Sequence, residues 1–362
     1  MSLPRVIHVS PFTGFSGANR SMVTLTSELA RRGPTFVFLL EDNDVAAEAR
    51  AGGASVVTVW PADRLPGSRI VRWTSIVRAL SAAVVERRID LIHCHSAPAI
   101  RYGWPVARVH GLPLLAHQRD TYANSYFNFG IGLADHIVAN SHWTCQSLPK
   151  RLRPRTTVVY NALALPPEAP PRMPGPLRVG MAARADATKG QDLLIAATLG
   201  LMDRLDFEVH IWGFFDADDD SPPADAARRM LAVAPGAYRD RFVLQPFRTD
   251  VDNFYRSVDV VVVPSRAYEG FGRAAIEAMA WRRPVIVADH SGLAEIVIDE
   301  QTGLKFRSGD AADLSRQLQR VLEDAALRQK LVAGGHGDVL RRFTAPPHAE
   351  AMVAVYEGLV RR

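Results

Sequence analysis

The chain has 362 residues, 48% of them apolar and 22% charged, with a net charge of +5. Those values suit a soluble globular chain of two domains and exclude a membrane-spanning class, because no uncharged apolar run approaches the ~18 residues of a span. Cys94 and Cys145 make neither a disulfide framework nor a metal-ligand spacing, and the N-terminus lacks a leader-like succession of basic, apolar and small residues, so a cytoplasmic setting is expected.

Charge is unevenly shared. Residues 1–164 carry 18 Lys+Arg against 10 Asp+Glu, a balance of +8, whereas residues 165–362 carry 25 against 28, or −3. A basic N-terminal half reads first as a solvated arginine-rich face. It also leaves open an anionic acceptor or peripheral contact with an anionic membrane. The arginines are scattered, without a basic stripe or an aromatic platform, which points away from nucleic acid.

In chain order, short apolar runs alternate with amphipathic ones. "RVIHVS" (5–10), "TFVFLL" (35–40), "SVVTV" (55–59), "LIHCHS" (91–96), "PLLAH" (113–117), "HIVANS" (136–141) and "TVVY" (157–160) read as strands, with helices such as 18–32 and 70–88 between them. This alternation predicts an α/β domain over 1–164 with a parallel sheet covered on both faces. Trp73, in "IVRWTSIVRAL", reads as a core-packed helix residue, with contact to a lipid as the other reading. Six prolines in residues 163–176 cannot continue a helix or a central strand. A linker is therefore expected at 165–176. Alternation restarts with "LRVGMA" (177–182), "FEVHIWG" (207–213), "RFVLQ" (241–245), "DVVVVP" (259–264) and "PVIVAD" (284–289), giving a second α/β domain over 177–346. The last helix, 347–362, is free to pack on either domain.

Three stretches could carry chemistry. In "SPFTGFSGANRSM", Gly14 and Gly17 lie between a strand and a helix, where glycine lets backbone amides approach an anion. The spacing matches neither a dinucleotide fingerprint nor a P-loop, so an ordinary turn and a ligand loop remain equal readings. Arg184 and Lys189 follow the first strand of the second domain and precede a helix. They read as a surface pair or as a diphosphate clamp, the arginine as a fork and the lysine as a point charge. In "SRAYEGFGRAAIEAMAWRRP", Glu269 precedes a Gly-Phe-Gly turn and Glu277 lies inside the following helix. They read as a cap and a solvated helix residue, or as two acceptors for paired hydroxyls. Asp216–Asp220 runs into serine and two prolines and reads as a solvated acidic loop, with no metal expected.

Glu269-x7-Glu277, preceded by Arg184-x4-Lys189-Gly190, resembles the retaining glycosyltransferases of the GT-B fold, family GT4. "DLIHCHS", "ADHIVANS", "VVYNAL" and "SGLAEIVIDEQTGL" extend the likeness in the family's order over nearly the whole chain. The resemblance implies two Rossmann-like parallel-sheet domains facing a central cleft, acceptor side first. It implies that Glu277 holds the ribose of a nucleotide-sugar, UDP- or GDP-linked, and that Glu269 contacts the transferred sugar. Gly270, Phe271 and Gly272 would meet sugar hydroxyls. Amides near Arg273 would meet the diphosphate, which Arg184 and Lys189 would neutralise without a metal or other cofactor. His117, in "LLAHQRD", would face the anomeric centre, and Gly14 and Gly17 would close over the donor.

The chain departs from the common pattern at Ala162, at the single glycine of "DHSGLAE", and at Gln118 and Arg119. The expected activity is transfer of a sugar to a glycan, glycolipid or small-molecule hydroxyl, first in cell-envelope polysaccharide or lipopolysaccharide assembly and second on a small natural product. A sugar-nucleotide 2-epimerase and a non-catalytic partner of a transferase are the rival readings.

Overall fold

The structure, a computed structural model, describes residues 3–361 apart from 13, 15, 61–67, 121–129, 167–173, 217, 220, 247 and 249. Most of the expected linker and two residues of the acidic loop, Ala217 and Asp220, therefore lie outside the described residues. The chain divides into two compact units, Met1–Ala164 with Arg342–Arg362, and Leu165–Arg341.

Unit 1 is built on β1 (Val6–Ser10), β2 (Phe36–Glu41), β3 (Ser55–Trp60), β4 (Leu91–Cys94), β5 (Leu114–Gln118), β6 (His136–Ala139) and β7 (Thr156–Val158). Their order is β3-β2-β1-β4-β5-β6-β7, and all neighbours run parallel. Unit 2 is built on β8 (Leu177–Ala182), β9 (Phe207–Trp212), β10 (Phe242–Gln245), β11 (Val260–Val263), β12 (Val285–Ala288) and β13 (Leu304–Phe306). Here the order is β10-β9-β8-β11-β12-β13, again parallel throughout.

Every strand read from the sequence is present. Central strands such as "VVVV" of β11 are buried along their whole length, which is why they appear as unbroken apolar runs. β13 was not read because it has three residues with Lys305 in the middle. Its place comes from pairing with β12, Ile286 opposite Leu304. Each sheet reverses its order once, between β1 and β4 and between β8 and β11. At such points the loops leaving the carboxyl ends diverge and open a crevice.

The helix Ala345–Val360 belongs to unit 1. Ala349, Met352 and Tyr356 pack with Leu25, Leu29, Leu91, Leu115 and Val138, and Leu163 N donates to Phe343 O at 2.9 Å just before the helix begins. Its apolar stripe covers a part of the sheet face that the helix Gly17–Ala30 leaves bare.

Trp73 corrects the core-packed reading: it is 40% exposed, and its indole N–H donates to Arg101 O at 3.2 Å. The buried stripe of the helix Arg69–Glu86 is Ile76, Leu80, Ala83 and Val84, so Trp73 lies beyond its first residue. Ile70 and Val71 on this helix, and Arg101 and Trp104 on the helix Ala97–His110 packed against it, are exposed as well. No described helix is long and apolar enough to cross a membrane.

Candidate active site

In unit 2 the reversal point brings two loops together, one leaving β8 and one leaving β11. The first carries Arg184 to Gly190. Asp186 closes it, its Oδ1 accepting from Thr188 N at 2.8 Å and Thr188 Oγ1 at 2.7 Å. These bonds hold its carboxyl below the usual range. Gln191 Nε2 donates to the carbonyls of Arg184 (2.9 Å) and Gly213 (3.0 Å). Gly190 has φ +81°, and a Cβ there would run into the Pro264 carbonyl, so only glycine lets the loops touch.

The second loop carries Ser265 to Gly272. Glu269 Oε1 lies 2.5 Å from Lys189 Nζ and accepts from Ser265 Oγ at 2.9 Å. Its backbone is braced by the next helix start: Glu269 N donates to Ser291 Oγ at 3.1 Å, and Gly292 N donates to Glu269 O at 2.9 Å. A Cβ on Gly292 would sit 2.7 Å from the carbonyls of Glu269 and Gly270. Gly270, Phe271 and Gly272 are buried, and Gly272, at φ +90°, opens the helix Arg273–Ala280. The residue capping that helix is therefore Gly272, and Glu269 does not cap it.

Within the helix, Glu277 Oε1 accepts from Arg273 Nε at 2.7 Å and its Oε2 accepts from Tyr255 OH at 3.0 Å. The four side chains Lys189, Glu269, Arg273 and Glu277 are only 16–22% exposed. Arg184, by contrast, is exposed, and its guanidinium makes no hydrogen bond or ion pair among the described residues. All the unit 2 residues singled out in the sequence thus lie on two adjoining loops and one helix. Sequence reading missed Ser265, Tyr255, Ser291 and Gly292, which hold the carboxylates in place. "SGLAEIV" pointed at the last two only as part of a familiar string.

In unit 1, Gly14 and Gly17 lie at the carboxyl end of β1. Buried Asn19 organises this loop, donating to Phe12 O at 3.2 Å and Gly14 O at 2.7 Å and accepting from Ser10 Oγ at 2.8 Å. Gly14 is exposed, and a Cβ on it would meet nothing within 4 Å among the described residues. His117, on β5, is fully buried. Its ring lies 5.5 Å from that of His93 and 5.8 Å from that of His95, and its Nδ1 lies 3.3 Å from Arg119 Nη2. His8 on β1 joins them, its Nδ1 2.9 Å from His95 Nε2, and His93 Nδ1 lies 3.0 Å from Tyr356 OH. Sequence inspection singled out only His117, because strand residues far apart in the chain meet only through the β1–β4–β5 pairing.

Burial keeps these rings neutral. It pushes His8 down to about 3 and His348 down to about 4, and lowers His93, His95 and His117 well below 6.5. Above pH 6.5, their ordinary value, folded and unfolded chains are alike in charge. Below it the unfolded chain takes up protons that the folded chain refuses until the folded values are reached. Stability of unit 1 should therefore fall as pH drops from about 6.5 toward 4, by up to about 1.4 kcal/mol per pH unit for each such histidine. Urea midpoints across that range check this, and a flat profile would contradict it.

A doubly reversed pair of parallel sheets with cations, carboxylates and glycine loops at the second reversal point is the architecture of GT-B glycosyltransferases. HepE of Anabaena, solved with UDP and glucose, superposes with a TM-score of 0.80 at 18% identity, covering 98% of this chain and all of that one. Sucrose-phosphate synthase from Thermosynechococcus elongatus gives 0.77 at 22% identity, covering 99% of each. The "Glycosyltransferase Family 4" model matches residues 15–165 and the "Glycosyl transferases group 1" model matches residues 176–324. The chain belongs to this family of glycosyltransferases.

Among curated relatives, the lipopolysaccharide core biosynthesis mannosyltransferase LpsB of Rhizobium meliloti is 30% identical over 188 residues, 51% of this chain and 52% of its own length. A D-inositol 3-phosphate glycosyltransferase of Xylanimonas cellulosilytica is 32% identical over 209 residues, 57% of this chain and 46% of its own. The chain thus spans about half the length of these relatives.

Proposed function

We propose that this protein is a retaining glycosyltransferase that moves a sugar from a nucleotide-sugar to a hydroxyl acceptor, in the assembly of a cell-envelope polysaccharide or lipopolysaccharide. The observation that carries the reading is the pairing of Glu269 with Lys189 across two loops that meet at the β8–β11 reversal point, and of Glu277 with Arg273 on the helix that follows the second loop. Glu277, held by two donors, keeps lone pairs free to accept from the ribose hydroxyls. Glu269 meets the sugar. Lys189 and the exposed Arg184 hold the diphosphate, whose negative charge grows as its bond to sugar C1 breaks. Fixed cations are worth most where charge develops. The acceptor oxygen bonds to C1 on the face the diphosphate leaves, and the departing phosphate oxygen takes the acceptor's proton. No protein nucleophile and no metal enter this scheme.

His117 belongs to the sugar side of unit 1. The UDP and glucose bound by HepE and the LpsB mannosyltransferase favour a UDP- or GDP-linked hexose and an envelope glycan. Exposed Trp73, Trp104, Ile70 and Val71 beside Arg101, in the basic half, suit peripheral contact with an anionic membrane carrying the acceptor, on its cytoplasmic face.

Calorimetric titration with UDP-, GDP-, ADP- and dTDP-sugars, with and without EDTA, tests the donor site. One nucleotide should bind regardless of EDTA, and Glu277→Ala should weaken it about tenfold or more while thermal stability holds. Binding of none, or unaltered binding by Glu277→Ala, would refute the assignment. The anomeric configuration of the product, read by NMR, decides retention. Flotation with anionic but not zwitterionic vesicles decides the membrane contact.

A further inference from the structure

Ser291, just before the single glycine of "DHSGLAE", opens the helix Ser291–Ile296 with φ +51°. Among the described residues other than glycine, only Arg88, Arg282 and Glu300 share a positive φ. Arg88 and Arg282 lie two residues past the ends of the helices Arg69–Glu86 and Arg273–Ala280, where a left-handed residue is the usual stop. Glu300 sits in a turn closed by Thr302 N donating to Ile298 O at 2.9 Å. Ser291 ends no helix, and a left-handed serine is strained where glycine would be free. Such strain persists only where the surroundings impose it, and it gathers at functional sites.

Here the surroundings are the loop that carries Glu269, which three successive residues clamp. His290 Nε2 donates to Ser265 O at 2.7 Å, Ser291 Oγ accepts from Glu269 N at 3.1 Å, and Gly292 N donates to Glu269 O at 2.9 Å. Gly292 is pressed so closely on this loop that a Cβ would lie 2.7–2.8 Å from the backbone of Glu269, Gly270 and Phe271. The chain reaches it from extended His290, at φ −157°, and the left-handed step at Ser291 makes the turn. Glycine would make that turn without strain, but it has no oxygen to offer the Glu269 amide. The hydroxyl is what serine adds, and at 5% exposure Ser291 lies where water has little access to replace it. We propose that Ser291 is a positioning residue whose hydroxyl fixes the Glu269 peptide, so that the carboxylate meets the transferred sugar in one set orientation. Lys189 and Ser265 occupy Oε1, which leaves Oε2 for the sugar. This rests on the reading of Glu269 as the residue that meets the sugar, and it lies wholly within unit 2. Nucleotide binding should not depend on Ser291, because Glu277 is held by Arg273 and Tyr255 instead.

The test compares Ser291→Ala with Ser291→Gly in the full chain. Both lose the hydroxyl, and only the second relieves the backbone. The glycine variant should therefore melt about 2–4 °C above the alanine variant. Both should nonetheless lose kcat alike, about tenfold or more, with the nucleotide-sugar dissociation constant within about twofold of wild type. Hydrogen exchange followed by NMR reads the bond itself. The Glu269 amide should be protected in wild type and exchange about tenfold faster or more in Ser291→Gly. Activity that follows melting temperature, with Ser291→Gly near wild type, would show a merely structural role and overturn the proposal. So would an intact kcat in both variants. A Glu269 amide that exchanges freely in wild type would overturn it even if neither variant folds. Full transfer by Glu269→Ala would be a different failure. It would take Glu269 away from the sugar, and with it any part for Ser291 in transfer, while the wild-type amide stayed protected.

Discussion

Lys189→Ala is expected to lower kcat about 100- to 1,000-fold, the loss typical of removing one preorganised group aimed at developing charge. Two effects add. The diphosphate loses its point charge, and Glu269 loses the partner at 2.5 Å that holds it against Ser265. Because the two side chains act as a unit, Glu269→Ala should also cut turnover strongly, and the double variant should be little worse than the poorer single one. Steady-state rates for the three variants, with nucleotide diphosphate affinity by calorimetry, check this. Strictly additive losses would mean that the pair does not act together. Unchanged transfer by Lys189→Ala would remove it from the site.

Gly190→Ala is expected to be strongly damaging to the site. Its φ of +81° disfavours any side chain, and its Cβ would press on the Pro264 carbonyl, a backbone atom that cannot turn aside. Strain and overpacking together should cost about 3 kcal/mol, a fall in melting temperature of about 6–12 °C. Activity should fall further than stability, because the Arg184–Lys189 loop is pushed off the loop that carries Glu269. Gly14→Ala is the control: its Cβ meets nothing among the described residues, so its melting temperature should stay within about 2 °C of wild type. Equal shifts in the two variants would show that the contact between the loops does not matter.

The fold was legible because parallel strands buried on both faces leave unbroken apolar runs, and the prolines of 163–176 break the pattern once. β13 escaped for want of length, and Trp73 was misjudged because helical spacing shows a stripe without showing where its cover ends. For the site, spacing alone left Arg184, Lys189, Glu269 and Glu277 open between ordinary surface or capping roles and ligand contacts, and it was the ordered resemblance along the chain that singled them out.

The Arg273–Glu277 pair follows from helical spacing, but that Glu269 meets Lys189 was decided only by the tertiary structure. Lys189 and Glu269 are 80 residues apart, and they meet because β8 and β11 are neighbours at the reversal point. The partners Tyr255, Ser265 and Ser291 are ordinary residues whose value lies in position alone. The histidines of unit 1 make the same point. Spacing shows a lone His117, whereas strand pairing sets four imidazoles and one guanidinium in contact. Local pattern determines which segments are buried and where charge is affordable. Pairings between distant residues depend on sheet order, which no local pattern encodes.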